Sequence, residues 1–461
     1  MIELYNTLTR KKENFKSIKG GEVGIYTCGP TVYSSQHIGN MRTYIFSDIL
    51  KRVLKYNGFQ VKHVINITDV GHLVSDSDDG EDKMEVASRK EGEKAEEIAN
   101  KYFKECLLDF KSLNLIAPDI WSKATKHIKE QINLIKELEK KGLTYKINDG
   151  IYFDSSKFKK YGKFAKLNIK GLKSGKRISM GKKKNKTDFA LWKFSETPGI
   201  RQQEWNSPWG LGFPGWHIEC SAMSMKYLGN NFDIHTGGED HVQVHHQNEI
   251  AQSESITGKK FVNYWMHAGF LLSDGRKISK STGGLYTISE LEKEGYSAIH
   301  FRYLCLLTQY RKQMNFSLEN LDSAKKAYER IKRKIIELEN QKHKGIDKTK
   351  IYESNFLKVI NGDLNIPKAL KIFITSLNDF NFEPKKKLKL LEKFDEILGL
   401  GIKDMKEEKI KLPKEVQELI KSRKTARKNE NWKESDKLRK KIKQHGFIIE
   451  DKLKGYSLRK I

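Results

Sequence analysis

The chain has 461 residues, too many for one compact core, so two to four domains are expected. Lys and Arg number 87 against 59 Asp and Glu, and the formal net charge of +28 points to a polyanionic partner. Four cysteines (Cys28, Cys106, Cys220 and Cys305) exclude a disulfide framework, and no apolar run approaches the ~18 residues of a membrane span. The first residues, Met-Ile-Glu-Leu-Tyr-Asn, lack the charged and then apolar pattern of a secretory leader, so a reduced, cytoplasmic setting with no membrane contact is expected.

In chain order, residues 22–28 predict a short buried strand closed by Gly29-Pro30. A loop leads to His37-Ile38-Gly39-Asn40. Apolar residues then recur at 45, 46, 49, 50, 53 and 54, a helical spacing capped by Asn57-Gly58. Residues 61–67 predict a second strand, and strand, loop, helix, strand is one βαβ unit of a parallel sheet. Residues 85–142 read as mostly helical, and 143–200 as a mixed insertion between two halves of the sheet. The lysine run at 182–186 lies in that insertion, and a solvated loop is its default reading. Residues 232–235 and 261–272 predict further strands. Periodicity in 320–342 and 355–402, with lysine-rich faces, predicts a helical bundle. Residues 404–411 read as a linker, 414–429 and 432–445 as a helical hairpin, and the end of the chain as a short basic tail.

Two short segments carry nucleotide chemistry when taken together. His37-Ile38-Gly39-Asn40 stands where a loop enters a helix, whose N-terminal amides and positive dipole end suit phosphates; Gly39 allows close backbone approach. Lys277-Ile278-Ser279-Lys280-Ser281 puts two cations on a loop, suited to charge building on a leaving pyrophosphate. Either alone fits an ordinary loop. The pair resembles the HIGH and KMSKS motifs of class I aminoacyl-tRNA synthetases, with Asn40 and Ile278 in place of His and Met.

A third set concerns metal. His245 and Glu249 stand at i,i+4 and would share a helix face, Cys28 ends the first strand, and Cys220 follows Trp216-His217-Ile218-Glu219. By spacing alone a core thiol and a surface or capping histidine pair are the default reading of these residues. Around them the segments YTCGPTVY, GWHIECSAM and HHQNEIAQS closely resemble the cysteinyl-tRNA synthetase family, and the resemblance runs over essentially the whole chain. It implies one Zn²⁺ per chain on Cys28, Cys220, His245 and Glu249, binding the substrate's own thiolate, with Cys106 and Cys305 as core thiols. It further implies cysteine contacts from Gly29, Thr68 and Trp216, and ATP contacts from His37, Gly39, Asn40, Gly237, Asp240 and Lys280. Catalytic contacts follow for His37, Asn40, His217, Lys277 and Lys280, with ATP arriving with Mg²⁺.

The implied fold is an α/β Rossmann-type catalytic core with a parallel sheet, then a C-terminal α-helical bundle and a small anticodon-binding domain. The expected bounds are 1–120 and 206–319 for the two halves of the core, 121–205 for the connective insertion, 320–403 for a helical bundle lying along the tRNA and 414–461 for the anticodon domain. In that last domain Arg427, Trp432, Asp436 and Asp451 match the family's tRNA-binding pattern, since an aromatic ring beside arginines can stack on unpaired bases. The expected function is ligation of cysteine to tRNA(Cys) through a cysteinyl-adenylate, by a monomer, without a separate editing domain. Zinc–thiolate contact would separate cysteine from serine, which an apolar pocket cannot do well. Two other readings stay open at this point: a cysteine:amino-sugar ligase, which shares such a core but lacks the basic C-terminal module, and a catalytically inactive relative that only binds RNA.

Overall fold

The computed structural model describes residues 1–73, 80–167, 183–273, 276–277, 286–406, 412–451 and 456–460. It divides into two compact units, Met1–Lys403 and Asp404–Ile461. The first is built on a five-stranded parallel sheet in the order Val262–Ala268, Phe232–Gly238, Glu22–Thr27, Gln60–Ile67, Ile120–Lys123. Phe232–Gly238 is buried along nearly its whole length, as a central parallel strand covered on both faces must be. In chain order the sheet grows outward from Glu22–Thr27, then returns to add Phe232–Gly238 on the other side. The direction therefore reverses between these two strands, and in such sheets the crevice at their C-terminal ends is where ligands bind.

The helix Ile38–Tyr56 is the first crossover and packs against this switch point. Ser47 Oγ lies 3.0 Å from Thr236 Oγ1, and Thr236 Oγ1 lies 2.7 Å from Thr27 Oγ1, so the helix is tied to both central strands. The insertion is a four-stranded antiparallel sheet of Thr144–Ile147, Gly150–Phe153, Phe189–Phe194 and Gly212–Pro214, backed by the helix Ile128–Lys140. Beyond the core come the helices Ala298–Leu306, Leu318–Glu339, Thr349–Asn361, Ile366–Asn378 and Pro384–Leu398.

Four expectations are corrected. Residues 121–123 are not part of the insertion: with Ile120 they form the fifth core strand, paired from Ile120 to Val64 through Lys123 to Ile67. The insertion's own sheet runs past residue 205 to Pro214, because Trp192, Lys193 and Phe194 pair with Pro214, Phe213 and Gly212. The apolar run 261–272 is two strands rather than one. It breaks at Gly269, whose amide donates to Tyr310 O at 2.8 Å and where a Cβ would lie 2.8 Å from the Lys312 backbone. Residues after Gly446 form a hairpin, Phe447–Asp451 with Tyr456–Lys460, and not an open tail.

In the second unit the helices Lys414–Lys428 and Trp432–Gln444 and this hairpin close over Val416, Ile420, Ile442, Phe447 and Ile449. No helix among the described residues is long and apolar enough to cross a membrane.

Candidate active site and metal centre

A cavity of about 340 Å³ opens at the switch point. Of the residues expected to bind ligands, Cys28, Gly29, His37, Gly39, Asn40, Thr68, Trp216, His217, Cys220, Asp240 and His245 all line it. Gly29 stands two residues beyond the end of the central strand Glu22–Thr27. A Cβ there would stand 1.7 Å from Asn66 O, so only glycine lets the strand ends approach so closely, and its amide donates to Asn66 Oδ1 at 2.7 Å. Asn66 Nδ2 in turn donates to Thr68 Oγ1 at 3.1 Å.

His37 is the N-cap of the helix Ile38–Tyr56. Its Nδ1 accepts from Gly39 N at 3.1 Å, and Asn40 Oδ1 accepts from His37 N at 3.2 Å. The two side chains form a reciprocal capping box. Asn40, standing where the family motif has a second His, therefore satisfies the cap. Acceptance at Nδ1 places the ring proton on Nε2, a donor suited to a phosphate oxygen. Gly238, Glu239 and Asp240 lie on the cavity wall, while Gly237 is buried and a Cβ on it would press on the His241 and His246 rings at 2.7 and 2.8 Å.

The ligand atoms of Cys28, Cys220, His245 and Glu249 lie within 4.8 Å of one another, and all four residues are buried. The helix His245–Thr257 puts His245 Nε2 3.2 Å from Glu249 Oε1, the i,i+4 contact read from the sequence. Glu249 Oε1 has no hydrogen-bond partner although it is buried. A buried carboxylate oxygen without a donor, next to an imidazole nitrogen and two thiols, fits a cation, and this mixed sulfur, nitrogen and oxygen set suits Zn²⁺. Burial and neighbouring Cys220 push the Cys28 thiol well up. For Cys220 the hydrogen bond from Cys28 lowers the thiol, but burial and Glu249 outweigh it and the net shift is upward. Burial, then His217 and His241, hold His245 well below the usual histidine range. His245 is thus neutral, the form that ligates metal, and the thiols need a metal's charge to ionise.

Apart from Trp216 and His217, the surrounding residues were not legible in the sequence. His235 Nε2 lies 2.9 Å from Glu249 Oε2, and His217 Nδ1 lies 2.9 Å from His245 Nδ1. A chain of contacts runs from Cys28 Sγ to His246 Nε2 at 3.2 Å, on to His267 at 2.8 Å and to Thr7 Oγ1 at 2.8 Å. Cys28, His235, His246 and Glu249 form a second convergent set that shares two members with the first. The Trp216 ring packs on His245 with centroids 4.5 Å apart. His72 Nε2 and the buried Glu219 Oε1 lie 2.7 Å apart at the cavity wall. Arg42 is another residue missed: its Nη1 donates to Gly269 O and Phe270 O at 2.6 and 2.5 Å, and it clamps the helix to the chain that leads into residues 276–277. Ile38 N donates to Tyr286 O at 2.9 Å, where the chain returns. Of the KISKS residues, Lys277 is described only as backbone in a strand pairing Leu272, and Lys280 lies outside the described residues.

In the second unit three arginines meet one carboxylate. Arg423, buried, donates both Nη atoms to Asp451 at 2.9 and 2.8 Å. Arg427 and Arg439 reach Asp451 Oδ2 at 3.0 and 2.6 Å, and Arg439 also reaches Asp436 at 3.4 Å. The Arg423 bond first, then the charges of all three arginines, outweigh the opposing effect of burial and leave the Asp451 carboxyl below its usual range. Trp432 is 55% exposed and lies under the Arg427 guanidinium at 5.3 Å.

Residues 14–326 match the family model of the class I (C) tRNA synthetase catalytic domain, and residues 410–459 match that of the cysteinyl-tRNA ligase anticodon binding domain. Over 458 residues the chain is 45% identical to "Cysteine--tRNA ligase 1" of Burkholderia lata, covering 99% of this chain and 96% of the relative. It is 42% identical to the "Cysteine--tRNA ligase" of Treponema denticola, covering 98% of each. Among solved structures, its fold resembles the LeuRS of Agrobacterium radiobacter K84 in a ternary complex with tRNA and LeuAMS. The TM-score is 0.62 at 11% identity, over 85% of this chain and 86% of that one. It also resembles Mycobacterium tuberculosis methionyl-tRNA synthetase with methionyl-adenylate, with a TM-score of 0.54 at 13% identity over 82% and 90%. The match at 410–459 supplies the module that an amino-sugar ligase would lack. The chain belongs to the cysteinyl-tRNA ligase family, the class I aminoacyl-tRNA synthetases that join cysteine to tRNA.

Proposed function

We propose that one Zn²⁺ per chain is held by Cys28, Cys220, His245 and Glu249, and that the cavity beside it takes cysteine and Mg²⁺-bound ATP. The observation that carries this reading is the convergence of those four ligand atoms within 4.8 Å, with Cys28, Cys220 and His245 on the wall of the cavity that the His37 cap also lines. When bound, the metal would supply a Lewis acid that favours a thiolate over a hydroxyl, and so cysteine over serine.

The chain's own residues do the rest by placement. Trp216 and His217 hold the His245 ring from two sides, and Gly29 and Thr68 give the amino acid a close, polar wall. The helix N-terminus at Ile38 and the His37 ring offer donors to the ATP phosphates. Asp240 is the acceptor for the ribose, Lys277 and Lys280 the cations for pyrophosphate. A carboxylate oxygen of cysteine attacks the α-phosphorus of ATP and pyrophosphate leaves. A terminal ribose hydroxyl of tRNA then attacks the adenylate carbonyl and AMP leaves. No protein nucleophile is required, so catalysis is positioning plus charge stabilisation.

In the second unit Arg427, Trp432, Asp436 and Asp451 are the anticodon contacts. Because Asp451 already accepts from three arginines, its part is to orient Arg427 and Arg439 as donors. We further propose a monomer in the cytoplasm. ATP-dependent charging of bulk tRNA, with bound zinc quantified in the same sample, tests the whole reading. Charging with cysteine and not serine, at about one zinc per chain, is the expected result. Charging without metal would remove the zinc assignment, and equal charging with serine would remove its selectivity.

A further inference from the structure

Between the helices Ile366–Asn378 and Pro384–Leu398 the chain makes a tight turn that displays Phe380 to solvent. Phe380 is 83% exposed, more than any other large apolar side chain described except the N-terminal Met1. The turn beneath it is firmly built. The Asp379 carboxylate accepts from Lys348 Nζ at 2.7 Å, Tyr352 Oη at 2.8 Å and Asn381 N at 3.0 Å. Phe382 is fully buried and stacks on Tyr352, with centroids 5.7 Å apart. Ile346 pairs with this segment: its amide donates to Asn381 O at 2.7 Å, and its carbonyl accepts from Glu383 N at 3.1 Å. His343 Nε2 lies 3.0 Å from Phe380 O. The backbone of Phe380 is thus fixed from both sides while its ring stays in water.

The surroundings are strongly basic. Residues 341–350 and 378–389 hold eight lysines against three acids. All three acids are engaged within the turn: Asp379 by Lys348, Asp347 by Lys386 at 2.8 Å, and Glu383 by the amides of Lys385 and Lys386. Lys342, Lys344, Lys385 and Lys389 are exposed. A rigidly presented ring within a rim of one charge sign fits a nucleic acid, whose bases offer stacking faces and whose phosphates answer the lysines.

We propose that this apex of the bundle is a contact for the tRNA substrate, with Phe380 stacking on an unpaired base and the nearby lysines taking the flanking phosphates. It rests on the tRNA-ligase reading and adds a site outside both the cavity and the anticodon unit.

The test compares Phe380→Ala, Phe380→Leu and Phe380→Trp with the unaltered chain. It uses steady-state charging of purified tRNA and cysteine-dependent pyrophosphate exchange without tRNA. Stacking predicts a KM for tRNA raised about tenfold in the Ala and Leu variants and restored in the Trp variant, with exchange unchanged in all three. A Lys342→Ala/Lys344→Ala pair should lower the salt dependence of tRNA binding by about one to two phosphates' worth of slope. An unchanged KM in Phe380→Ala overturns the proposal. So does equal rescue by Leu, which would mark a generic apolar contact, or sedimentation showing a self-association that Phe380→Ala abolishes. Failure of the unaltered chain to charge tRNA would instead count against the tRNA-ligase reading itself.

Discussion

Glu249 carries the metal argument at the level of single residues. One of its oxygens is held by His235 and the other faces His245 with no donor. Cys220→Ser replaces a soft thiolate by an alcohol that does not ionise near pH 7, leaving the other three ligands with a weaker fourth. We expect loss of bound zinc, measured by metal analysis, together with loss of cysteine-dependent pyrophosphate exchange. Full exchange with zinc retained would remove Cys220 from the ligand set. A second residue-level prediction concerns Asp109, whose carboxyl is pushed up to about 7 by burial, with Glu105 and Glu292 adding to it. The folded pKa exceeds the unfolded one, so this group's contribution to stability is full below pH ~4 and is lost as pH rises through about 7. Asp109→Asn should therefore raise the melting temperature at pH 8 by about one to two degrees and leave it unchanged or lower at pH 5. A uniform shift at both pH values would show that ionisation is not the cause.

At the level of elements, the capping box links local sequence to the proposed nucleotide site. Asn40 accepts from the His37 amide, and this bond fixes the first turn whose amides face the cavity. Asn40→Ala removes it. Loss of about 1 kcal/mol at the helix start, and a several-fold rise in KM for ATP in pyrophosphate exchange, are expected with zinc content unchanged. Asn40→Asp keeps an acceptor for the His37 amide and should retain the helix's stability; an unaltered KM in Asn40→Ala would show that the cap serves only the fold. This box was only half legible in the sequence. The helix itself was, because its apolar spacing and the Asn57-Gly58 cap are local signals, and so was the i,i+4 pair His245 and Glu249. The four-residue strand Ile120–Lys123 was not, since so short a segment between helices carries no alternation to read. Arg42, His235 and His267 escaped for a different reason. Arg42 meets Gly269 and Phe270 across more than 220 residues, and His235 and His267 join the candidate metal centre through strands that only the fold places side by side.

For the whole molecule, the proposed catalytic site and the proposed anticodon contacts belong to separate compact units, each with its own buried core. All four proposed zinc ligands and the His37 cap lie in the first, and the arginines around Asp451 lie in the second. Adenylate formation needs only cysteine and ATP, so a chain ending at Lys403 should retain cysteine-dependent pyrophosphate exchange within about twofold. Charging should fall much further, because base and phosphate contacts are lost from the tRNA complex. Two such contacts at about 1.4 kcal/mol each correspond to roughly 100-fold in kcat/KM for tRNA. The salt dependence separates this from damage to the core: loss of lysine and arginine contacts lowers the slope of tRNA affinity against salt, whereas a misfolded core lowers exchange at every salt concentration. If exchange disappears with the truncation, the first unit depends on the second for its fold. If charging persists at full rate, the arginines held by Asp451 read nothing that the reaction requires.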